Sequence, residues 1–156
     1  MSDQAKSAID LAYELAVDSY EPLIKRLDAI DVRLQNIMGF AGTNLALVTS
    51  VASARNLSFR SFWFWAAVAA FLLIIAIGTV ARHYGTVIMI DPASLDDEWL
   101  ALEPNKFKES FIKHTGENWS LNNNLVSLRW KVSVWIGILF FIQILFLIAW
   151  IVVLRF

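Results

Sequence analysis

Residues 37–54 read IMGFAGTNLALVTSVASA. No charge interrupts them, and 18 residues is near the lower limit for a helix that crosses a hydrocarbon core of ~30 Å. The stretch is only moderately apolar, being rich in Gly, Ala, Ser and Thr. Two later bands, 62–81 and 132–154, are greasier and read directly as membrane spans. Whether 37–54 also crosses decides the topology. Three spans place the chain ends on opposite sides of the bilayer; two place them on the same side.

The basic residues near the span ends favour three crossings, because Lys and Arg accumulate in cytoplasmic loops. With three spans, Lys25, Arg26, Arg33, Arg82, Arg129 and Lys131 share one side, and only Arg55, Arg60 and Arg155 the other. With two spans the sides are nearly balanced. The expected fold class is therefore an all-α membrane protein with three transmembrane helices. A cytosolic heptad helix over 1–36 leads into a transmembrane hairpin over 37–81, made of spans 37–54 and 62–81. A cytosolic helical insert over 82–131 lies between the second and third spans, and a third transmembrane helix covers 132–156. The N-terminus is expected in the cytoplasm.

Composition agrees. The chain has 156 residues, is 58% hydrophobic and carries seven Trp and eleven Phe, more apolar surface than a soluble domain of this length can hide. A net charge of −1 gives no basic field for nucleic acid. With no Cys, disulfides, thiolate catalysis and Cys-ligated metals are excluded, and two His without ligand spacing give no support for a metal site. The start, MSDQAKSAIDLAYE, lacks a basic stretch followed by an apolar run, so no cleaved signal peptide is expected.

Before the membrane, Ile9, Tyr13, Ala16, Tyr20, Leu23, Leu27, Ile30, Leu34 and Ile37 alternate by four and three, a heptad seam. Ser2 or Asp3 can cap this helix. The seam needs a partner, either the chain's own cytosolic segment or further copies of the chain. Pro22 falls within it and predicts a kink, or two abutting helices with Pro22 in the first turn of the second. The same phase runs on through Ala41, Asn44, Val48 and Val51, so one helix is expected to carry its inner face from water into lipid.

After the short turn RNLSFRS, Trp63 and Trp65 open the second span at headgroup level; Trp130 and Trp135 mark the entry to the third and Trp150 its exit. Within the insert, Asp91-Pro92 and Glu103-Pro104 each predict a helix start, Gly116 a stop, and residues 118–120 a third start.

Two sets of residues carry the functional expectations. Gly39, Thr43, Ala46, Ser50 and Ser53 form a stripe of small, weakly polar side chains on the first span, with Asn44 beside it in mid-membrane. The stripe serves either close helix packing or a pore-lining, subunit-facing surface. Arg82, Lys106, Lys108, Lys113, His114, Arg129 and Lys131 form the second set, either a surface for anionic headgroups or a pocket for an anionic ligand repeated around an oligomer axis. Gln143 is the one polar residue well inside the last band, an interhelical hydrogen-bond group or part of a pore. The run Asn122-Asn123-Asn124 is polar without an evident local role; it suits a solvated helix face, a contact to a base or the wall of a vestibule. No phosphate loop, Ser-His-Asp spacing or HExxH occurs, and Asp96-Asp97-Glu98 suits a helix first turn. An enzyme is not expected, and neither a cofactor nor a metal is implied.

The layout combines SYEPLIKRLDAIDVRLQ, a small-residue span, a tight turn, an aromatic-opened span, an insert with DEWL and NNNLVSLRWKV, and a last span. It resembles small multi-span bacterial membrane effectors of antiphage defence systems, of SLATT-like or Hailong type. The resemblance implies a homo-oligomeric ion channel in the bacterial inner membrane, controlled by a nucleotide or oligonucleotide signal from a partner enzyme. The competing expectation is a non-conducting membrane anchor or assembly subunit that docks a cytosolic partner through its N-terminal helix.

Overall fold

A computed structural model describes residues 7–55, 59–88 and 102–153. These residues form four helices and no strand: α1 (Ala8–Asp18), α2 (Tyr20–Ala54), α3 (Phe62–His83) and α4 (Pro104–Val153). The stretches Ile9–Ala54, Phe62–His83 and Pro104–Val153 hold three helices long and apolar enough to cross a membrane. The chain divides into two compact units, one of Met1–Leu27 with Gly85–Ser127, the other of Asp28–Tyr84 with Leu128–Phe156.

Helix α1 starts at a capping box. Ser7 Oγ accepts from the Asp10 backbone N–H at 3.3 Å, and the Asp10 carboxylate accepts from the Ser7 N–H at 3.2 Å, satisfying two donors that a helix start leaves open. The cap is thus Ser7; Ser2 and Asp3 lie outside the described residues. One residue, Ser19, separates α1 from α2. Pro22 explains the break: it has no N–H for the Asp18 carbonyl, and its ring crowds that carbonyl. The sequence supplies two abutting helices with Pro22 in the first turn of the second.

In the first unit the seam faces inward. Ala16, Tyr20, Leu23 and Leu27 are buried. Tyr13 packs on Phe107 and Phe111 of α4, with ring centroids 6.5 and 5.0 Å away. Lys108 pairs with Asp10. Gly85 takes a φ of 71°, and a Cβ there would stand 2.8 Å from Leu125 Cδ1, so the turn needs glycine both for its backbone and for its closeness to α4.

In the second unit, Ile30, Leu34 and Ala41 of α2 continue the buried face. Opposite them α3 presents Phe64, Ala67, Ala70, Ile74, Gly78 and Ala81, the small-residue face that lets helix backbones approach. A Cβ on Gly78 would lie 2.6 Å from Met38 Sδ. At the far end Ala52, Phe64, Ala67, Leu147 and Trp150 form a cluster in which the Phe64 and Trp150 rings sit 4.8 Å apart.

Three expectations are corrected. Gly116 does not stop a helix and none starts at 118–120; α4 runs through both, because a stop of that kind uses a left-handed residue and Gly85 is the only glycine with positive φ among the described residues. Trp150, expected at the exit of the last span, is fully buried and continues the inward face set by Gln143 and Leu147. The inner face of α2 also turns. Ala41 is buried, but Val51 is 55% exposed, and the inward positions become Leu45, Val48 and Ala52. A straight α-helix drifts ~20° per heptad, and here the drift is taken up as one step of four residues. The helix expected at Asp91-Pro92 falls outside the described residues; the one at Pro104 begins there, with the Glu103 carbonyl accepting from the Phe107 N–H at 2.9 Å.

Candidate functional site

The turn in phase decides where the stripe points. Gly39, Thr43, Ala46, Ser50 and Ser53 are all exposed on the outer face of α2, and Asn44 is half-buried at its edge. Nothing lies within 4 Å of a Cβ built on Gly39. Ser50 Oγ donates to the Ala46 carbonyl at 2.8 Å, and Thr49 Oγ1 lies 2.9 Å from the Leu45 and Ala46 carbonyls. Those two hydroxyls are satisfied by their own helix, which makes them tolerable away from water. Among the described residues, Thr43 and Asn44 have no such partner. An open concavity of about 610 Å³ follows Thr49, Ser50, Ser53, Ala54 and Phe59.

Gln143 faces the opposite way. It is fully buried, and its Nε2 donates to the Ala41 carbonyl at 3.1 Å, while its Oε1 has no partner among the described residues. This residue joins α4 to α2 within one chain.

The expected basic set falls in both units. Lys106, Lys108, Lys113 and His114 belong to the first unit, and Arg82, Arg129 and Lys131 to the second. Lys108 is engaged by Asp10. That ammonium, with hydrogen bonds from Ser7, holds the Asp10 carboxyl at about 2, well below the usual carboxylate range. Lys106 makes an exposed contact to Glu103 at 3.9 Å. Lys113 and His114 are exposed.

Arg129 is buried, and its guanidinium is spent on the end of α3. Nη2 donates to the Tyr84 and Arg82 carbonyls at 2.9 and 3.0 Å, and Nε to the Tyr84 carbonyl at 3.3 Å. Nη1 lies 3.4 Å from both Asp31 carboxylate oxygens. The last carbonyls of a helix lack intrahelical donors and carry its negative dipole end, which is where a guanidinium fork fits. Arg82 turns to α2: with its carboxamide oriented to satisfy both groups, the Gln35 oxygen accepts from the Arg82 guanidinium at 2.8 and 3.1 Å. Lys131 is exposed.

The asparagine run divides. Asn122 is buried and clamps the chain after α3: its Oδ1 accepts from the Ile88 N–H at 2.9 Å and its Nδ2 donates to the Ile88 carbonyl at 2.8 Å. Asn123 is exposed and borders a small cavity of about 90 Å³ together with Leu23, Arg26 and Trp119. Thr115 and Asn118 are buried on the Asn122 face, each with a polar atom that has no partner among the described residues. These roles do not stand out in the sequence, although a signal exists. Running the inward phase of the last span backwards from Gln143 through Ile136 and Arg129 arrives at Asn122, Asn118 and Thr115.

No family model, curated protein or solved structure matches the chain. The functional reading therefore rests on the arrangement of these residues.

Proposed function

We propose that the protein is a homo-oligomeric membrane ion channel whose conducting path is lined by the outer face of α2. The observation that supports this reading most is Asn44. It sits in the middle of a charge-free stretch, beside exposed Thr43, and no group among the described residues satisfies its carboxamide. A carboxamide facing lipid is costly, whereas one facing a neighbouring copy or a water-filled path is not. In this reading Gly39, Thr43, Ala46, Ser50 and Ser53 meet other copies and water. The membrane is the bacterial inner membrane with the N-terminus cytoplasmic, the side on which most Lys and Arg near the span ends fall. The signal is an anion of nucleotide type met by Lys113 and its neighbours, and the role is that of a defence effector, as the layout resemblance implies.

The test is a recording from planar bilayers with purified full-length protein, joined to a mass measurement in detergent. Unitary currents from a particle of several chains, with conductance altered by Asn44→Leu, are the expected result. Silent bilayers together with a single-chain particle would remove the reading.

A second reading has its own support. Leu11 and Leu15 stand one turn apart on α1 and are 54% and 74% exposed, although the seam beside them is covered. An anchor or assembly subunit would dock a cytosolic partner on that face. A monomer that captures one partner, and loses it on Leu15→Glu, would favour this alternative.

A further inference from the structure

We propose that the cleft between the end of α3 and the start of the third span seats an acyl chain of an anionic phospholipid, with the headgroup at Lys131 and His83. The cleft holds about 200 Å³, enough for a length of chain rather than a whole lipid. Ile77, Val80 and Ala81 form one wall, Leu128 and Val132 the other, and the lining is almost wholly carbon. Tyr84 and Arg129 close it. Val80 and Leu128 are 66% and 44% exposed, so the cleft opens sideways. In the two membrane-spanning helices that form its walls, sideways means lipid. Tyr84 and Trp130, each at least half exposed, stand at the level where aromatic rings meet headgroups.

Charge at this end selects the headgroup. Helix α3 contributes Arg82 and His83, α4 contributes Arg129 and Lys131, and α2 contributes Arg33 and Asp31. Asp31, the acidic group among them, faces Arg129. Arg82 is engaged by Gln35, and Arg33 lies over the Trp130 ring at 4.9 Å. His83 and Lys131 are exposed and form no ion pair among the described residues. A surplus of positive charge above an apolar slot matches the two ends of a phosphatidylglycerol-type lipid. A second cleft of about 230 Å³, lined by Leu47, Val51, Arg55 and Ile151, serves as an internal control. The inference holds whether or not the protein conducts.

Full-length protein in neutral detergent is mixed with dioleoyl phosphatidylglycerol or dioleoyl phosphatidylcholine, and bound lipid is counted per chain by native mass spectrometry. The expected preference for phosphatidylglycerol is about fivefold, the scale one basic side chain near an anionic headgroup supports. Val80→Trp, at an exposed wall position, should remove one bound lipid per chain with helix content unchanged. Val51→Trp should leave phosphatidylglycerol binding as in the parent. Lys131→Gln combined with His83→Gln should bring the two lipids to parity while total binding persists. Equal binding of both lipids by the parent protein would overturn the proposal. So would a folded Val80→Trp that binds as the parent does, or loss of binding in Val51→Trp. If Val80→Trp loses helix content, the Lys131→Gln, His83→Gln pair decides: an undiminished preference overturns the proposal.

Discussion

Gln143 donates from Nε2 to the Ala41 carbonyl, 3.1 Å away, and both residues are fully buried. The bond crosses from α4 to α2 in the stretch where neither helix has a charge. The other amide atom, Oε1, is unpaired among the described residues. The Ala41 carbonyl lies inside α2 and keeps its intrahelical donor if Gln143 is replaced, so removing the amide also removes an unsatisfied acceptor.

Gln143→Leu is therefore expected to change stability by less than about 1 kcal/mol, since interhelical hydrogen bonds in membranes average ~0.6 kcal/mol. Gln143→Ala is expected to cost at least ~2 kcal/mol, because it opens a cavity at a fully buried site. Reversible unfolding in mixed micelles measures both. A Leu variant as damaged as the Ala variant would show that the amide, not its volume, holds the helices.

The contrast bears on what the sequence can reveal. The heptad seam from Ala16 to Leu34 is legible, because burial by packing leaves a period in the residue types, and so is the Pro22 junction. The step from the Asn44 phase to the Leu45 phase is not, because Ala, Leu, Val and Ser sit on every side of that span and the pattern carries no contrast. By residue type Arg129 is one more surface cation near a span end. Its partner Asp31 is 98 residues away in sequence and the Tyr84 and Arg82 carbonyls are backbone, so no residue type announces them. Asn122 is hidden by its exposed neighbours Asn123 and Asn124, which give the run the look of a solvated face.

The glycines divide by what surrounds them. Gly116 lies inside α4 with open space where a Cβ would stand, so Gly116→Ala should stabilise the protein by ~0.5–1 kcal/mol through helix propensity. Gly85 has a φ of 71° and Leu125 at 2.8 Å from the same atom, so Gly85→Ala should destabilise by ~1–2 kcal/mol. Gly78→Ala falls between them, because the clash is with the flexible end of Met38. Thermal unfolding of the three variants gives the order directly, and a stabilised Gly85→Ala would contradict it.

Asp10 belongs to α1, ahead of the apolar stretch. Its carboxyl is held at about 2 by Lys108 and Ser7, below the ~3.9 of an unfolded aspartate. A depressed folded value means the contribution is fully present above about pH 4 and is lost as pH falls towards 2. Carboxyl NMR should follow a midpoint near 2 in the parent and a return towards the ordinary range in Lys108→Gln, with Ser7 still holding it partly down. A midpoint unmoved by Lys108→Gln would mean that the capping box alone sets it.

Arg129 binds backbone more closely than it binds Asp31. Its carbonyl contacts run from 2.9 to 3.3 Å, whereas both carboxylate distances are 3.4 Å. The Asp31 side chain is also 31% exposed, so water already screens it. Removing the guanidinium strands the end of α3; removing the carboxylate leaves Arg129 with the Tyr84 and Arg82 carbonyls. Arg129→Gln is thus expected to cost ~2–3 kcal/mol, near the lower range for breaking a buried pair, and Asp31→Asn ~1 kcal/mol or less. Arg129→Lys should recover little, since one ammonium cannot reach both carbonyls in the fork geometry of a guanidinium. The double variant Arg129→Gln, Asp31→Asn should cost less than the sum of the two, with a coupling of ~0.5–1 kcal/mol. If Asp31→Asn instead matched Arg129→Gln, the ion pair rather than the capped helix end would be what Arg129 secures.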